Sequence, residues 1–398
     1  MSLNIALSGM NATSKELNTI SNNIANVSTS GFKESRTEFS SVYSGDEAGG
    51  VQVKAITQNF DSEGSINGTG RTLDMALSGS GFFMLVDSKG QPSYTRNGAF
   101  SMDANGYIGS GSNKLQGYSV DNNNNLVEGT LGDIKVSTES QAAKATDNIE
   151  FVANIDARSQ IIDSVATPFT ATDSDTYTSS YTSPVYDSLG NQHNVTQYFI
   201  KRADNDWEIR VSVDGDTLPQ TTPPAGMSFD SKGQLTSSAQ YDVNYAISGA
   251  DPLNITMDMT GVTQFGNQFV VSTNNPNGYT SGDFVNVRVE DDGSIYANYS
   301  NGQTQLQGQV TLANFAAPQE LQQTSNTSWV QTFASGVPIV GTAGTGQFGE
   351  ITPSALESSN VNLTESMVSL MSSQRNYQAN TKVMSTDTQL FQALFQAT

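Results

Sequence analysis

LNIALSGMNATSKELNTISNNIANV, residues 3–27, decides how this chain of 398 residues is organised. Its apolar residues recur every seven positions over four heptads, which predicts an amphipathic helix with one apolar seam. Two heptad positions make up that seam: Leu3, Met10, Leu17 and Ile24 occupy the first, and Ala6, Thr13, Ile20 and Val27 occupy the second. A helix of this length is marginal alone, so we expect its seam to pack against another surface.

The other end of the chain carries a second heptad pattern. Its members are Leu356, Leu363, Leu370, Tyr377, Met384 and Phe391. Asn362 followed three residues later by Glu365 is typical of a helix N-terminus, so we expect a helix over residues 363–398. The two seams can pair with each other, pair with copies of the chain, or pack on one globular core. The periodicity leaves these alternatives open.

Between the two helices the sequence predicts β-structure, because short apolar runs alternate with turn sequences. Asn97-Gly98 predicts a hairpin. We therefore expect a mainly β fold with α-helical termini that form a coiled coil, in which a discontinuous β core domain holds a second β domain as an insertion. The predicted boundaries are 1–27 and 363–398 for the helices, 28–70 and 340–362 for linkers, 71–143 and 259–339 for the core, and 144–258 for the insertion.

Composition excludes several functional classes. The formal net charge of −21 disfavours binding to nucleic acid, since both surfaces would be negative. The chain has no cysteine and one histidine, which removes disulfides and leaves little material for a metal site. We find no apolar run long enough to insert into a membrane and no secretory leader, so we expect no membrane insertion and no cleaved signal peptide.

Two motifs resemble ligand sites but lack the context that such sites need. Gly344–Gly349 matches G-x-G-x-x-G, yet prolines interrupt the flanking segments where a strand and a helix are required. Asp121, Asn123 and Asn125 begin as a calcium loop does, but the glycine and glutamate expected further on are missing. The sequence therefore predicts no cofactor and no metal.

His193 is the one candidate for general base chemistry. It follows Asp187 across a turn, but we identify no nucleophile that this pair would activate. A structural histidine on a strand is the favoured interpretation. We accordingly expect no catalytic residue and a protein that is not an enzyme.

Each end of the chain carries a stretch rich in asparagine. The N-terminal stretch consists of Asn22, Asn23, Ile24, Ala25 and Asn26, followed by Thr29, Ser30, Gly31, Phe32 and Lys33. The C-terminal stretches consist of Ser359, Asn360, Val361 and Asn362, and of Gln374, Arg375, Asn376, Tyr377, Gln378, Ala379 and Asn380. These stretches resemble the two terminal signatures of a known family, the bacterial flagellar rod, hook and hook-associated axial proteins. We expect Asn22, Asn23 and Asn26 to specify where the first helix ends and to contact neighbouring subunits, because the stretch from Asn376 to Asn380 carries the same chemistry; a plain polar turn is the alternative.

The middle of the chain is similar to the hook proteins within this family. Tyr94–Phe100 resembles the core domain shared with distal rod proteins, and Val185–Thr196 resembles the outer domain of hook proteins. The resemblance implies a structural, extracellular subunit that polymerises into a curved tube and transmits torque from rod to filament. A stiff distal rod protein and a secreted β-rich adhesin are the alternatives. The implied partners are copies of itself, the distal rod protein, the hook–filament junction protein, the hook cap and the type III export apparatus.

Overall fold

Two long helices lie at the ends of the chain in the computed structural model, which describes residues 2–44, 47–121, 124–218 and 226–397. Helix α1 spans Ser2–Ala25 and helix α2 spans Leu363–Ala397. The Asn362 side chain accepts hydrogen bonds from the backbone N–H groups of Thr364 (3.0 Å) and Glu365 (3.3 Å). This cap satisfies two orphan donors and fixes the start of α2, as the sequence predicts.

Helix α1 ends two residues before Val27, its predicted last residue. The backbone N–H of Asn26 is shared between the carbonyls of Asn22 and Asn23, each at 3.1 Å, and Val27 bonds only to the carbonyl of Ile24. The tightened last turn leaves the α-helical pattern there.

Short strands make up most of the chain between the helices. The first ten are β1 (Ser35–Ser44), β2 (Glu47–Gln58), β3 (Ile66–Gly68), β4 (Met75–Ser78), β5 (Phe82–Val86), β6 (Pro92–Thr95), β7 (Ser101–Met102), β8 (Ile108–Ser110), β9 (Asn113–Val120) and β10 (Leu126–Asp133). The next ten are β11 (Asn148–Asp156), β12 (Ser179–Tyr186), β13 (Gln192–Ala203), β14 (Asp206–Val213), β15 (Asp216–Thr217), β16 (Gly226–Ser228), β17 (Gln240–Tyr245), β18 (Leu253–Asp258), β19 (Thr263–Phe265) and β20 (Val270–Pro276). The last eight are β21 (Phe284–Val289), β22 (Ser294–Tyr299), β23 (Thr304–Asn314), β24 (Gln322–Gln323), β25 (Ser328–Val330), β26 (Ile339–Thr342), β27 (Glu350–Pro353) and β28 (Ala355–Glu357). A mainly β fold with helical ends, as the sequence predicts, is confirmed.

The chain divides into two compact units. The first consists of Met1–Thr138, Asn286–Asn298 and Thr304–Thr398, and the second of Glu139–Val285 and Tyr299–Gln303. The backbone therefore passes between the units four times. The first unit contains both helices.

In the first unit, helix α1 packs on an antiparallel ribbon of β1 and β2. Two short pairings, β3 with β28 and β4 with β27, join the segment after the ribbon to the segment before α2. The remaining strands of this unit form one large sheet in the order β21-β22-β23-β9-β5-β6-β25-β24, with β7, β8, β10 and β26 as branches. An aromatic cluster of Phe60, Phe82, Tyr94, Phe315 and Trp329 fills part of its core.

The second unit is a sandwich of two five-stranded sheets. One sheet joins β17, β18, β11, β19 and β20, and the other joins β12 to β16. Buried residues of both sheets form a single hydrophobic cluster, in which the rings of Phe151 and Phe199 stack at 5.8 Å. The Trp207 indole donates a hydrogen bond of 2.8 Å to the Gln264 side chain within this core.

The predicted boundaries of the inserted domain and of the linkers differ from these units. The sequence places the end of the insertion at 258, but β19 and β20 continue the sheet of β11 and carry the second unit to Val285. The sequence after residue 258 is rich in residues typical of turns, so β19 and β20 are not evident from it. The predicted linker over 28–70 holds the ribbon of β1 and β2, which packs against α1.

Asn97 and Gly98 do not form the predicted hairpin. Strand β6 pairs with β5 and β25, while β7 pairs with β8. The turn instead lies against Met75, whose carbonyl oxygen would be 1.7 Å from a Cβ atom at position 98. Glycine is required here by a close backbone approach.

Candidate assembly site

The two terminal helices meet within one chain through small and polar residues. The Ser373 hydroxyl donates a hydrogen bond of 2.8 Å to the Glu16 carboxylate. Asn380 lies against Gly9, where an added Cβ would come within 3.0 Å of its amide nitrogen. Ser366 and Ser373 are the buried residues of α2 among those whose side chains are described. The contact between α1 and α2 therefore buries little apolar surface of α2.

An adjoining side of α1 is tied to the ribbon by hydrogen bonds. The Ser8 hydroxyl accepts from the backbone N–H of Val51 at 3.2 Å, and Thr37 donates to Thr19 at 3.1 Å. The residues of α1 that become buried are Ala6, Ala12, Thr13, Thr19, Ile20 and Asn23. The ribbon and α2 together thus cover one flank of the predicted seam.

The other flank of the seam stays accessible to solvent. On the N-terminal side Ile20 is buried, Met10, Leu17, Ile24 and Val27 are half-buried, and Leu3 is exposed. On the C-terminal side Leu370 and Met384 are half-buried, Leu363 and Tyr377 are exposed, and the Phe391 side chain lies outside the described residues. Apart from the buried Ala6, Thr13 and Ile20, the seam positions whose side chains are described therefore keep part of their surface exposed in a single chain.

Further apolar side chains are exposed beside the seam on both helices. They are Ile5 and Leu7 on α1, and Met367, Val368, Met371, Val383 and Leu390 on α2. Leu363, Met367 and Met371 follow one another at spacings of four, which places them in one stripe. Val383 and Leu390 line a groove together with Ala379 and Thr386. Each helix thus carries apolar surface that the chain itself does not bury.

The segment that follows α1 is pinned in place by Asn23. Its buried side chain donates to the carbonyl of Ser35 (2.8 Å) and accepts from the N–H of Ser35 (2.9 Å). Asn26 donates to the carbonyl of Asn22 at 2.9 Å, where the helix ends. Asn23 and Asn26 thus bond to the backbone around the helix exit, and both the predicted role of the asparagines in specifying that exit and their contact with neighbouring subunits stay predictions.

Gly31 and Phe32 anchor this exit to the rest of the first unit. Gly31 adopts a φ of 70°, and a Cβ there would lie 2.4 Å from the backbone nitrogen of Asn97. Its N–H donates to the carbonyl of Glu357 at 2.8 Å, and Phe32 is buried. The chain can pass this point only without a side chain at position 31.

A buried group of three charges joins segments that are far apart in the sequence. The Glu357 carboxylate accepts from Lys33 at 2.8 Å and from Arg96 at 3.3 Å, and all three side chains are at most 3% exposed. Lys33 also donates to the carbonyl of Ser62 (2.9 Å), and Arg96 to that of Gly79 (2.6 Å). Each charge is thus hydrogen-bonded, as burial requires.

Burial sets the electrostatics of this triad. It lowers the pKa of Lys33, as does the neighbouring charge of Arg96, and the Glu357 carboxylate opposes both effects. Burial likewise lowers the pKa of Arg96 against the opposing charges of Glu357 and Glu63. Two cations share one buried anion, so the loss of Glu357 would leave both without their closest counter-charge.

The segment before α2 is held by Asn360. Its side chain accepts from the N–H of Glu34 at 2.7 Å and donates to the carbonyls of Asn59 (2.9 Å) and Ser62 (3.0 Å). Ser359 accepts from the N–H of Val361 at 3.2 Å, and Val361 is buried. These positions of the C-terminal signature therefore fix the approach to α2.

The rest of the C-terminal signature lies on the surface of the helix. Gln374, Arg375 and Tyr377 are exposed, whereas Asn380 contacts α1. At the N-terminal end Ala25 and Asn22 are exposed as well. The structure therefore divides the signature into residues that hold the chain together and residues that face outward.

Sequence reasoning missed Glu357 and singled out its two partners only as members of motifs. A charged residue directly beside buried apolar ones was the available signal, since Lys33 follows Phe32 and Arg96 follows a buried strand. The pairing itself needs three-dimensional information, because 261 residues separate Arg96 from Glu357.

His193 is held between two carboxylates in the second unit. Its ring nitrogens lie 2.6 Å from Asp214 and 3.4 Å from Asp187. Burial lowers the pKa of His193, but the hydrogen bonds and charges of the two aspartates outweigh it, so the pKa is raised above its usual value. Asp187 also accepts from the backbone N–H groups of Leu189 and Asn191. The group stabilises two neighbouring turns and presents no nucleophile.

The two motifs that resemble ligand sites occupy turns. Gly344 and Gly346 have positive φ values in the connection between β26 and β27, so no helix follows the glycines. Asn123 lies outside the described residues, and Asp121 accepts from the backbone N–H of Asn125 at 2.9 Å. Over the described ranges, no cluster of three acidic, histidine or cysteine side chains is arranged to hold a metal ion. Neither α1 nor α2 is long and apolar enough to cross a membrane, judged on the part of each that is described.

Four segments of the chain match flagellar families. Residues 3–33 match the flagella basal body rod protein family, and residues 76–149 match the flagellar hook protein FlgE/F/G D1 domain. Residues 154–279 match the flagellar basal body protein FlaE D2 domain, and residues 352–397 match the C-terminal region of the flagellar basal body rod FlgEFG proteins.

Full-length relatives carry the name of one branch of these families. The flagellar hook protein FlgE of Escherichia coli (strain K12) is 37% identical over 403 residues, which cover 99% of each chain. The chain belongs to the flagellar hook protein family. The hook protein of Rhizobium meliloti (strain 1021) is 33% identical over 98% of this chain and 96% of its own. These matches favour a hook protein over the rod protein and the adhesin that the sequence left as alternatives.

A solved structure supports the fold of the hook protein family for this chain. The crystal structure of Helicobacter pylori flagellar hook protein FlgE2 superposes with a TM-score of 0.57 over 73% of this chain and all of its own. The two sequences are 12% identical in that region. The likeness therefore concerns the architecture alone.

Removal of the buried anion should destabilise the first unit. Glu357→Gln should lower its free energy of unfolding by about 3–5 kcal/mol, because two buried cations lose their counter-charge. The measurement is urea unfolding followed by the fluorescence of Trp329 in a Trp207→Phe background. Asp133→Asn is the matched control, since its partner Lys114 lies at the same 2.8 Å on the surface; it should cost about 0–1 kcal/mol. Equal losses in the two variants would contradict a structural role for the triad.

The second unit should respond to pH through His193. The pKa of His193 is higher in the folded protein than in the unfolded chain. The stabilisation is therefore complete at a pH below the pKa of the unfolded chain, and it is lost as the pH rises through the pKa of the folded protein. Wild type should therefore exceed His193→Gln in stability at about pH 6, and the difference should shrink by about pH 9. Urea unfolding followed by Trp207 in a Trp329→Phe background measures it. A difference that grew with pH would show that the aspartates do not hold an imidazolium.

Proposed function

We propose that copies of this chain polymerise through their terminal helices into the curved tube of the flagellar hook, a universal joint that transmits torque from the rod to the filament. The observation that carries the proposal is the apolar surface that one chain leaves open on both helices, including Leu3 and Leu7 on α1 and Met367, Met371 and Leu390 on α2. These side chains are between 38% and 60% exposed, so covering the rest of each contributes about half of the roughly 1.5–3 kcal/mol that full burial gives.

The geometry of the two helices favours an open polymer over a closed dimer. The exposed residues of α2 lie on two sides of its contact with α1: the stripe of Leu363, Met367 and Met371 on one, the groove of Val383 and Leu390 on the other. Two different surfaces on one helix bundle allow head-to-tail contacts, and such contacts generate helical filaments when the rotation does not close. The outward-facing signature residues Gln374, Arg375 and Tyr377 would lie in the same inter-subunit contacts.

The buried triad supports the transmission of torque in this proposal. A tube that carries torque through its helices must pass it to the outer parts of each subunit. The connection between Lys33, Arg96 and Glu357 fixes both helix-bearing segments to the β-structure of the first unit. The role is structural and needs no catalytic group.

The remaining partners follow from the family. In the hook, this chain would contact the distal rod protein at one end, the hook–filament junction protein at the other, and the hook cap during growth. It would reach that extracellular position through the flagellar type III export apparatus. Its acidic, cysteine-free composition suits passage as an unfolded chain.

A charge placed in the exposed stripe should abolish assembly without disturbing the monomer. Met371→Glu should prevent tube formation, because the carboxylate would be buried between copies without a partner. Met371 is 53% exposed in the single chain, so unfolding of the monomer should change little. Negative-stain electron microscopy and sedimentation of purified protein under polymerising conditions measure the effect.

Ser372→Glu is the matched control for that experiment. It introduces the same charge one residue later, at an exposed position with no apolar surface to lose. We expect tubes to form from this variant. The helix-mediated proposal fails if Met371→Glu forms tubes as wild type does, or if it unfolds the monomer, which would place Met371 inside the chain.

A further inference from the structure

A loop in the first unit presents apolar side chains to solvent on a rigid frame. It consists of residues 331–338, between β25 and β26, together with Ile339, the first residue of β26, and we call it the 331–339 loop. Phe333 is fully exposed, at 104% of its reference area, and Val337 and Ile339 are 74% and 51% exposed. Aromatic side chains, phenylalanine among them, are enriched in the buried core of protein interfaces.

The frame of the loop is built by reciprocal hydrogen bonds. The backbone N–H of Thr332 donates to the Ser335 hydroxyl at 3.0 Å, and the N–H of Ser335 donates to the Thr332 hydroxyl at 3.1 Å. Thr332 also donates to the carbonyl of Glu320 at 2.7 Å, and Ser335 is completely buried. Phe333 therefore projects from a turn that is already ordered, which reduces the entropy lost on binding.

Both ends of the loop are attached to the core of the unit. It follows Trp329, which is buried in β25, and it enters β26, where Ile339 pairs with Asn314 of β23. The exposed residues are thus carried by the main sheet and lie outside the helices that the proposed function uses.

The surrounding sequence is nearly free of charge. From Gly293 to Gly349, which is 57 residues, Glu320 is the one charged residue. The 14% charged residues of the whole chain would predict about eight in that length. Two copies of a chain with a net charge of −21 repel each other, so the least costly contact between them is apolar and uncharged.

We propose that the 331–339 loop is a second contact between copies of this chain, with Phe333 as its anchor. Because the segment around the loop is almost uncharged, it can meet a strongly negative partner without added repulsion, and a second copy of this chain is such a partner. The inference rests on the proposed polymerisation and adds to it a contact made by the β-structure, in addition to the one made by the helices.

The absence of cysteine allows a direct test. Phe333→Cys introduces a single thiol, which should react with a maleimide reagent in the monomer and at least about tenfold more slowly in the polymer. Because the polymer contains this chain alone, only another copy can protect the thiol. Val165→Cys is the control, since that valine is 89% exposed in the second unit; its thiol should react at similar rates in both states.

A second measurement uses the critical concentration for polymerisation. Phe333→Ser should raise it roughly tenfold, since a buried aromatic side chain is lost from each contact, and Phe333→Leu should raise it less. Equal thiol reactivity in monomer and polymer, or an unchanged critical concentration for Phe333→Ser, would overturn the inference. If wild type itself formed no polymer, the proposed function would fail instead.

Discussion

One buried carboxylate holds the two ends of this chain to its middle. Glu357 lies between Lys33, which follows the first helix, and Arg96, which follows β6 of the main sheet of the first unit. Desolvating three charges is costly, and the structure offsets this cost with short ion pairs and with hydrogen bonds from both cations to backbone carbonyls. Two asparagine clamps lie next to this group in the chain: Asn23 bonds to Ser35, and Asn360 donates to the same Ser62 carbonyl that Lys33 contacts.

Each terminal helix has one surface that contacts the other helix of the same chain and another surface that stays exposed to solvent. The contact between α1 and α2 is made by Gly9, Ser373 and Asn380, while methionine, leucine and valine side chains face solvent. If the apolar residues of α2 packed against α1, they would not be available to neighbouring copies. Because the contact within the chain is polar, the apolar faces of both helices stay exposed.

The sequence predicted the parts of the fold that depend on local chemistry. The heptads and the Asn362 cap act within a few residues, so their patterns are legible without a structure. The extent of the second unit was not legible, because β11 pairs with strands more than a hundred residues away. Glu357 was missed for the same reason, since its partners lie 261 and 324 residues from it. Which flank of the seam becomes covered depends on the β1–β2 ribbon, whose sequence resembles a linker.

The way the backbone is divided between the two units has a mechanical consequence. The body of the second unit, Glu139–Val285, is one continuous insertion, so it hangs on two covalent tethers, at Thr138 and Asn286. Its other piece, Tyr299–Gln303, is the tip of the β22–β23 hairpin and is joined to that body by hydrogen bonds, such as the one from Asn301 to the carbonyl of Thr280 at 2.8 Å. Under a pull on the inserted body these hydrogen bonds break before either covalent tether. The hairpin tip is therefore the first part of the second unit to detach.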